Sequence, residues 1–550
     1  MSRPSTPPAD HVFRGGRVST VDARRTRAEA VAITGGTLVY VGDDAGVRQF
    51  VGNGTRVIDL GGRMLLPGFF DSHVHLASGG LQELQCNLFG IKDRNEVLSA
   101  LRQCVAAEGP GAAGWILGAG WDNGFIRDPD KLWLDEISPD RPMFLNCMDG
   151  HSAWINSAAL RLAGITGATP DPPTGRIQRD PSSGEATGWL YDSAVQLVKD
   201  VMPEPTLTER IAGLQAGIQL AHRYGITSII EPGIDDQMLS PYLALADRGD
   251  LPIRLRAARS PLNWQPGVLG DEIFEFVRRR HDDRRDRIDV DSVKVYIDGV
   301  IENGSAAVLE PYLLENLNER AEPFYSQAQL DRYVTWLDRE GIQIHSHAIG
   351  DRAVRMALNA YQAARVANGP RDNRHHICHL QMIDPDDVGR FAALDVMATF
   401  QPFWAQEDFY KSFYRSALGE ERVARTHFLL GSVHRAGGRI VGGSDWFVTS
   451  LNPLDAISVG IRRIDPALPD GAAVFGPAER VDLDTMLAAY TINGAYASHR
   501  EESLGSIEVG KRADLIVLDR DLGGVPAADI AAAAVEMTMV DGEVVFDAAN

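Results

Sequence analysis

The stretch of residues 65–75, LLPGFFDSHVH, decides how the rest of the chain is organised. An apolar run of strand length, broken by Pro67 and Gly68, ends in His73 and His75. Because side chains in a strand alternate between its two faces, both imidazoles point the same way, and a slight bend lets them reach one metal ion at about 2.0 to 2.1 Å. A lone His-x-His is more often a solvated or hydrogen-bonded pair than a metal site. The surrounding sequence is therefore needed to distinguish these two alternatives.

Length, composition and charge limit the number of domains and the kinds of partner that the chain can have. The chain has 550 residues, of which 44% are hydrophobic and 23% charged, so it is long enough for one barrel-sized domain with a smaller one, or for three average domains. No run approaches the roughly 18 apolar residues of a membrane helix, and residues 1–10 lack the apolar core of a signal peptide. The net charge of -21 argues against nucleic acid or an anionic membrane as a partner.

The cysteines are few and scattered. Cys86, Cys104, Cys147 and Cys378 include no Cys-x-x-Cys pair. The sequence therefore predicts neither a disulfide framework nor a thiolate zinc site, and a cytoplasmic location fits.

The two ends of the chain carry strands of one kind. Short alternating segments broken by glycines lie between His11 and Leu66, and similar segments follow Ser503. Because a few hairpin strands cannot bury a stable core alone, we expect the two sets to pair. The sequence predicts a composite β-sandwich from residues 1–66 and 503–550, with a catalytic domain over residues 67–502 between them.

Regular alternation of helices and short apolar strands begins at Leu207. With the opening stretch it gives eight predicted strands, the number with which a (β/α)8 barrel closes. They are Leu65 to Asp71, Ile226 to Glu231, Pro252 to Ala257, Ser292 to Asp298, Ile342 to His347, His376 to Leu380, Val396 to Gln401 and Arg439 to Asp445. Residues 77–205 depart from this alternation, which predicts an insertion after the first strand that could act as a lid over the barrel mouth.

Three phrases narrow the assignment. The phrase at residues 67–75, PGFFDSHVH, resembles the first barrel strand of the amidohydrolase superfamily. The phrases HSAW at 151–154 and HAIGD at 347–351 resemble its YtcJ-like branch, amidohydrolase family 3, which includes N-substituted formamide deformylases. The resemblance covers nearly the whole chain and implies the composite sandwich, the barrel and a binuclear metal centre.

Lys294 is a candidate ligand on the fourth barrel strand. Period 2 puts Lys294, Tyr296 and Asp298 on the face opposite Val293 and Val295, so the amine points into the barrel. A buried ammonium is costly unless it is paired or deprotonated, and a deprotonated lysine can take up CO2 as a carbamate. Family resemblance implies such a carboxylated lysine between two metals. The alternative is an ion pair of Lys294 with Asp298.

Two later strands carry histidine candidates. His347 is the candidate ligand of the fifth strand, whereas His345 lies about 6.6 Å deeper and is expected in a supporting or packing role. Gly350 stands where related deaminases carry a catalytic glutamate, which disfavours deamination. His379 resembles the ligand of the sixth strand, and we expect His375 and His376 on the surface or facing a helix.

The eighth strand ends in the candidate catalytic residue. Asp445 follows small residues that allow a close approach to a metal, and it matches the catalytic aspartate of the superfamily. An isolated Gly-Ser-Asp is a helix cap or turn in most proteins. The expected metal set comprises His73, His75, Lys294, His347, His379 and Asp445.

Together these features predict a metal-dependent hydrolase of a C–N bond other than a peptide bond. One or two divalent ions per chain, zinc by expectation, would activate water and polarise the carbonyl of an N-substituted amide, with formamides the leading subclass. Alternatives are esters, lactones, carbamates or cyclic amides at the same centre, or a non-catalytic regulatory or binding protein on this fold.

The expected partner is a small molecule with an apolar or aromatic N-substituent, and the expected assembly is a homodimer. His151 could orient this substrate. Aromatic side chains could hold the substituent or could simply pack: Trp121, Trp154, Phe403, Trp404, Trp446 and Phe447.

Overall fold

The computed structural model describes residues 7–109, 113–148, 150, 152–172, 175–260, 271–302, 304–314, 317 and 320–549. His151 lies outside the described residues. The chain forms two compact units, one made of Met1–His75 with Ile218–Asn550 and the other of Leu76–Gly217. Within the described ranges, no helix combines the length and the apolar character needed to cross a membrane.

Strands and helices alternate regularly between residues 226 and 400, and runs of successive strands or successive helices lie elsewhere. The strands are β1 (His11–Arg14), β2 (Arg17–Ser19), β3 (Arg27–Ala28), β4 (Ala30–Thr34), β5 (Thr37–Gly42), β6 (Arg56–Asp59), β7 (Met64–Pro67), β8 (Phe69–Asp71), β9 (Cys86–Asn87), β10 (Ile116–Trp121), β11 (Met143–Cys147), β12 (Ser152–Ile155), β13 (Gly175–Arg179), β14 (Ala186–Asp192), β15 (Ile226–Ile234), β16 (Arg254–Arg259), β17 (Ile288–Tyr296), β18 (Gln343–Ala348), β19 (His376–His379), β20 (Met397–Phe400), β21 (Ile440–Gly442), β22 (Leu515–Leu518), β23 (Val535–Val540) and β24 (Glu543–Asp547). The α-helices are α1 (Asp44–Val47), α2 (Leu76–Glu83), α3 (Arg94–Ala107), α4 (Lys131–Asp135), α5 (Ser157–Leu162), α6 (Ser193–Lys199), α7 (Leu207–Arg223), α8 (Asp236–Asp247), α9 (Asp271–Arg279), α10 (Gln327–Arg339), α11 (Asp351–Asn368), α12 (Val388–Leu394), α13 (Phe409–Leu418), α14 (Glu420–Thr426), α15 (Leu430–Arg435), α16 (Pro453–Arg462), α17 (Leu483–Ala489) and α18 (Ile492–Ala497).

A parallel barrel forms the larger part of the first unit. Its eight strands follow the order β8, β15, β16, β17, β18, β19, β20 and β21, and neighbouring strands pair in parallel. The amide of Ser72 donates to the carbonyl of Gly442 at 3.0 Å, and the amide of Asp445 donates to the carbonyl of His73 at 2.7 Å. These two hydrogen bonds join the first strand to the last, so the predicted barrel is confirmed.

The opening stretch divides between two sheets. The sequence predicts a single strand over Leu65 to Asp71, but β7 belongs to the sandwich and β8 to the barrel, with only Gly68 between them. A Cβ on Gly68 would lie 2.3 Å from Oγ1 of Thr227. Glycine therefore allows the chain to pass against β15 at the point where it leaves one sheet for the other.

The sandwich draws on both ends of the chain. One sheet follows the order β5, β4, β1, β6, and the other follows β24, β23, β22, β7, β2, β3. In the second sheet β7 pairs antiparallel with the C-terminal strand β22. The buried core between the sheets also mixes both ends, with Phe13 and Leu65 packed in one cluster with Leu515 and Met539. The predicted composite sandwich is thus present.

Helix α10 shows how the sequence sets the βα units. Ser326 caps its first turn by accepting from the amide of Gln329, whose side chain in turn accepts from the amide of Ser326. Leu330, Val334 and Leu337 are buried, as the helical spacing of three and four residues requires. The next strand along the chain is β18, which carries His345 and His347.

The insertion forms the second unit around its own six-stranded sheet, of order β13, β14, β12, β11, β10, β9. Here the structure corrects the cysteine prediction, because Cys86 of β9 and Cys104 of α3 form a disulfide. Their 18-residue separation carries no sequence signature, and the bond arises because the helix packs beside the strand with a Cα–Cα distance of 5.8 Å. The cysteines therefore no longer favour a reducing compartment.

Candidate metal centre

The first and last barrel strands bring three predicted ligands together. Oδ1 of Asp445 lies 3.3 Å from Nε2 of His73 and 3.2 Å from Nε2 of His75. His73 is fully buried, while the side chain of His75 keeps 28% of its exposure. The donor atoms of all three residues lie within 4.8 Å of one another. The predicted His-x-His pair therefore converges with the predicted aspartate.

The backbone fixes the position of Asp445. This residue has a φ of 56°, in the left-handed region, and its amide is held by the carbonyl of His73. On the first strand, Asp71 accepts from the amides of His73 and Ser444 through Oδ1, at 3.1 and 3.0 Å. Burial raises the pKa of Asp71 to about 7. A carboxylate of the first strand thus ties that strand to the residue before Asp445.

A second buried imidazole orients His73. Nε2 of His345 lies 2.9 Å from Nδ1 of His73, and neither ring is exposed. Burial, with the nearby charge of Lys294 adding to it, lowers the pKa of His73 to about 3. His73 is therefore neutral at ordinary pH, the form in which an imidazole binds a metal. His345 occupies the supporting position that its depth in the strand predicts.

Asp445 itself is ionised. Burial raises the pKa of its carboxyl, but the adjacent His73 and the contacts from both first-strand imidazoles outweigh this and hold the pKa well below its usual value. A carboxylate with neutral imidazoles around it is a chemically consistent set of ligands for a divalent cation.

The fifth strand contributes His347. Its Nε2 lies 3.2 Å from the carbonyl oxygen of Gly299, and its ring lies 4.5 Å from that of His379. Burial lowers the pKa of His347 to about 3, with the charge of Lys294 adding to the effect. This side chain is therefore also a neutral donor next to the other histidines.

Lys294 points into the barrel, as predicted, but it does not pair with Asp298. The carboxylate of Asp298 instead accepts from the amides of Ala307, Ile349 and Gly350 at 2.8 to 3.0 Å. Nζ of Lys294 lies 3.4 Å from Sγ of Cys378. The alternative of an ion pair with Asp298 is therefore wrong, and the amine of Lys294 contacts a thiol instead.

His379 reaches the centre through a break in strand geometry. Period 2 would place it on the face opposite His376 and Cys378, but its φ of 75° and that of 51° at Leu380 end the regular strand. Its ring lies 4.7 Å from that of His73, and its Nδ1 lies 3.1 Å from Oε1 of Gln401. The structure thus brings His379 to the same end of the barrel as the other candidates.

His375 and His376, which lie shortly before His379 in the sequence, have different environments. His375 faces helices, as predicted, with Nε2 3.0 Å from Asp338 of α10 and its ring stacked on Tyr361 of α11. For His376 the prediction is wrong, because it is fully buried in the barrel with Nδ1 2.9 Å from Oγ1 of Thr399. Its register with His345 on the neighbouring strand places it on the inner face.

The aromatic candidates separate into two groups. Trp404 stacks on His379 with a 2° interplanar angle, and Trp446 follows Asp445 directly. Trp121 and Trp154 are instead fully buried in the core of the insertion unit, packed on each other, and each indole N–H donates to a backbone carbonyl. Their placement favours the packing alternative. His151 is not among the described residues.

Three residues that touch this centre are absent from the predicted set. The alternation of side chains along a strand puts Asp71 on the same inward face as His73 and His75. Gln401 ends a predicted strand. The sequence pattern could therefore have identified both residues. Cysteine spacing gives no sign of Cys378, which precedes His379. Its thiol donates to the carbonyl of Ser346 at 3.2 Å, and burial raises its pKa to about 12.

The donor set fits a divalent metal. Nε2 of His73 and Oδ1 of Asp445 are buried and lack a hydrogen bond of acceptable geometry, although they lie 3.3 Å apart. Buried polar atoms are rarely left unpaired, and two such atoms directed at one point are typical of ligands that share a cation. His73, His75 and Asp445 would hold it.

The class of protein follows from where these side chains lie. They stand at the C-terminal ends of the first, fifth, sixth and eighth strands of a parallel barrel, the end at which barrel enzymes carry their active sites. This arrangement defines a class of protein: barrel hydrolases whose active sites consist of clustered imidazoles and a carboxylate.

Comparison with known proteins agrees with this assignment to the barrel hydrolases. A sequence model of the amidohydrolase family matches residues 56–546, so the chain belongs to this family and is a hydrolase, as predicted. It is 33% identical to Protein LONG AFTER FAR-RED 3 of Arabidopsis thaliana, over 98% of this chain and 93% of that protein. It is 28% identical to the N-substituted formamide deformylase of Arthrobacter pascens, over 97% of each chain.

A solved structure shows the same fold. The chain superposes on an uncharacterized metal-dependent hydrolase from Pyrococcus horikoshii with a TM-score of 0.75 and 21% sequence identity. The match covers 94% of this chain and 99% of that one.

Proposed function

We propose that the protein is a metal-dependent hydrolase that cleaves the C–N bond of an N-substituted amide, with N-substituted formamides as the leading substrates. The observation that carries the proposal is the convergence of His73, His75 and Asp445, whose donor atoms lie within 4.8 Å of one another at a barrel end. Similarity to a formamide deformylase along almost the whole chain supports the substrate class.

We assign His347 and His379 to the same centre, since their rings lie 4.5 Å apart and His379 lies 4.7 Å from His73. Lys294 joins them from the fourth strand. One or two divalent ions per chain, with zinc as the expected metal, suit imidazole and carboxylate donors. A divalent metal bound there supplies Lewis-acid activation of water and of the substrate carbonyl.

The carboxylate of Asp445 moves the proton. Its second oxygen, Oδ2, lies 3.9 Å from Nδ1 of His379, while Oδ1 faces the first-strand imidazoles. Because Asp445 is ionised, it can take a proton from the attacking water and return it to the nitrogen of the leaving amine. His345 holds the ring of His73 in place during this exchange.

Aromatic side chains give the substrate its N-substituent site. Trp404 is partly exposed, donates from its indole nitrogen to Thr449 at 3.0 Å and stacks on His379. Phe447 lies 6.3 Å from His75, ring centre to ring centre. We assign the apolar or aromatic substituent to this side of the centre, next to Trp404 and Trp446.

The test is a substrate panel with metal analysis. N-benzylformamide, an N-alkylformamide, the matching acetamides and benzyl formate are offered to the purified protein, and amine, alcohol and acid products are measured by mass spectrometry. We expect formamide hydrolysis, at least one divalent ion per chain, and loss of turnover after chelation. His75→Ala should lose metal and turnover, whereas His281→Ala, at an exposed histidine, should keep both.

Two outcomes would replace this proposal. Preference for benzyl formate, or for lactones, carbamates or cyclic amides in an extended panel, would assign another bond to the same centre. Full metal content without hydrolysis of any substrate would favour a non-catalytic regulatory or binding role. Bound metal is therefore measured separately from turnover, since the relative LONG AFTER FAR-RED 3 bears a name that states no reaction.

A further inference from the structure

The hydroxyl group of Thr449 joins two segments at the C-terminal end of the barrel. Its Oγ1 accepts a hydrogen bond from the indole nitrogen of Trp404 at 3.0 Å and donates to the carbonyl of Ser444 at 2.8 Å. Trp404 lies just after the seventh barrel strand, and Ser444 lies just after the eighth. One side chain therefore ties the segments that follow the last two strands.

The segment that carries Thr449 is held by its own hydrogen bonds. The amide of Trp446 donates to Oγ of Ser444 at 2.9 Å, and the amide of Val448 donates to the carbonyl of Asp445 at 2.8 Å. Together with the hydrogen bond from Thr449 to the Ser444 carbonyl, these contacts close the segment into a compact turn. The threonine hydroxyl is thus a fixed acceptor for the indole.

The indole of Trp404 is covered on one face. Its plane lies at 2° to that of the His379 ring, with the ring centres 5.6 Å apart, and the residue as a whole is partly exposed. The surface that the indole leaves open is therefore its opposite face or its edge. Stacking allows a ring to slide and turn in its own plane, whereas the hydrogen bond to Thr449 defines one direction for the indole N–H.

We infer that Thr449 is a specificity-determining residue, which positions Trp404 so that the open indole surface selects flat aromatic N-substituents over puckered alkyl rings of the same size. A planar ring stacks on an indole or meets its edge in a favourable geometry, and a cyclohexyl ring has no π-system with which to do so. The inference rests on the proposed function and specifies, within it, the shape of the substituent.

Two substrates isolate this shape. N-benzylformamide and N-(cyclohexylmethyl)formamide share the carbon skeleton and the bond to be cleaved, but only the first has a planar ring. Thr449→Val keeps the shape of the side chain and removes the hydroxyl, whereas Thr449→Ser keeps the hydroxyl.

Thr55→Val is the matched control. Thr55 is also partly exposed, and its Oγ1 accepts from the amide of Gly52 at 2.9 Å and donates to the carbonyl of Ala9 at 2.7 Å. It precedes β6 of the sandwich and has no contact with Trp404. This variant therefore loses the same kind of hydroxyl bridge at another place.

The kinetic experiment measures kcat and KM for both formamides. We expect the wild type to prefer the benzyl substrate and this preference in kcat/KM to fall about 10-fold in Thr449→Val, at the lower end of the range for an altered apolar pocket. The loss should fall on KM, because the ring makes the same contacts in the substrate and in the transition state. Thr449→Ser and Thr55→Val should keep the preference.

A double variant shows whether Thr449 acts through Trp404. In a Trp404→Leu background, we expect Thr449→Val to cause no further change in the preference, because the side chain that it positions is already absent. Additive losses would mean that Thr449 affects the substituent by another route, which would overturn the inference.

A spectroscopic experiment detects the hydrogen bond without turnover. Protein labelled with ¹⁵N in its tryptophan indoles gives an N–H signal for Trp404, which is identified by its absence in Trp404→Leu. We expect its proton resonance to move upfield and to exchange faster with solvent in Thr449→Val, and to stay in place in Thr449→Ser and Thr55→Val.

Several results would overturn the inference and leave the proposed function standing. They are equal hydrolysis of both formamides by the wild type, a preference that survives Thr449→Val, an equal loss on both substrates, and an indole signal that Thr449→Val does not change. A wild type that binds metal but hydrolyses no N-substituted amide would instead overturn the proposed function, and the inference with it.

Discussion

Nε2 of His345 lies 2.9 Å from Nδ1 of His73 inside the barrel. If His73 binds a metal through Nε2, its proton must sit on Nδ1, so His345 has to accept there and carry its own proton on Nδ1. Metal-binding histidines usually donate to a carboxylate or carbonyl. Here a neutral imidazole takes that place, which makes the tautomer of one residue depend on the other.

His345→Phe tests this dependence. The variant removes the acceptor, and we expect metal affinity to fall by about 10- to 100-fold, the usual effect of losing such a partner. His345→Gln keeps an acceptor oxygen and should retain more of the affinity. Competition against a chromophoric chelator measures both. His375→Gln, at a residue that directly precedes the neighbouring strand and faces helices, is the control, and equal affinity in all three variants would mean that His345 only packs.

Asp445→Asn separates proton transfer from metal binding. The amide keeps the size of the side chain and an oxygen ligand but removes the base, so metal should largely remain. We expect kcat and kcat/KM to fall together by about 10² to 10⁴, the usual contribution of general acid–base catalysis. Metal analysis and steady-state kinetics on the same preparation decide the matter. A variant with full metal and near wild-type turnover would make Asp445 a ligand only.

Trp404 offers a test of substrate preference. Its ring is parallel to that of His379, so Trp404→Leu removes aromatic surface beside the centre while keeping an apolar side chain. We expect kcat/KM for N-benzylformamide to fall about 10-fold or more relative to an N-alkylformamide, within the 10- to 200-fold range of an altered apolar pocket. An equal loss on both substrates would indicate that Trp404 only positions His379.

Trp154 should behave differently, because it is buried in the insertion unit and packs against Trp121 and Trp133. Trp154→Ala removes a large core side chain and should destabilise that unit by about 3 to 5 kcal/mol. Hydrogen exchange over residues 76–217 compared with the barrel would show it. A stable variant with a changed substrate preference would instead indicate that Trp154 contacts the substrate.

The barrel could be predicted because each strand carries its own apolar run, and period 2 gives the inward face without any tertiary information. Strand phase correctly places His73, His75, Lys294 and His347 inside. It does not by itself account for His379, whose position depends on a positive φ that breaks the period, and family resemblance supplies that residue instead.

Contacts between distant segments set the limit of sequence reasoning. The sequence predicts His376 outside, yet its pairing with His345 in the neighbouring strand fixes it inside. The Cys86–Cys104 disulfide depends on how a helix packs beside a strand, and the burial of Trp121 and Trp154 depends on a separate core. None of these is encoded by local periodicity, so their environments required the three-dimensional structure.

His222, a buried histidine outside the candidate metal centre, should make the free energy of unfolding depend on pH. His222 of α7 is 3% exposed, and its Nε2–H donates to the carbonyl of Pro252 at 3.0 Å. Burial lowers its pKa to about 4, although the hydrogen bond acts in the opposite direction. The unfolded chain, with a pKa near 6.5, therefore takes up a proton first as the pH falls.

His222 should thus contribute full stability above about pH 6.5 and lose it as the pH falls towards 4. A pKa difference of this size corresponds to about 3 kcal/mol. His222→Gln can still donate to Pro252 but cannot titrate, so its melting temperature should fall less than that of the wild type between about pH 7 and pH 4. Comparing the two proteins removes the contributions of the other buried histidines, which both share. Parallel melting curves against pH would show that His222 is protonated equally in the folded and unfolded states, and that its burial carries no penalty on its charge.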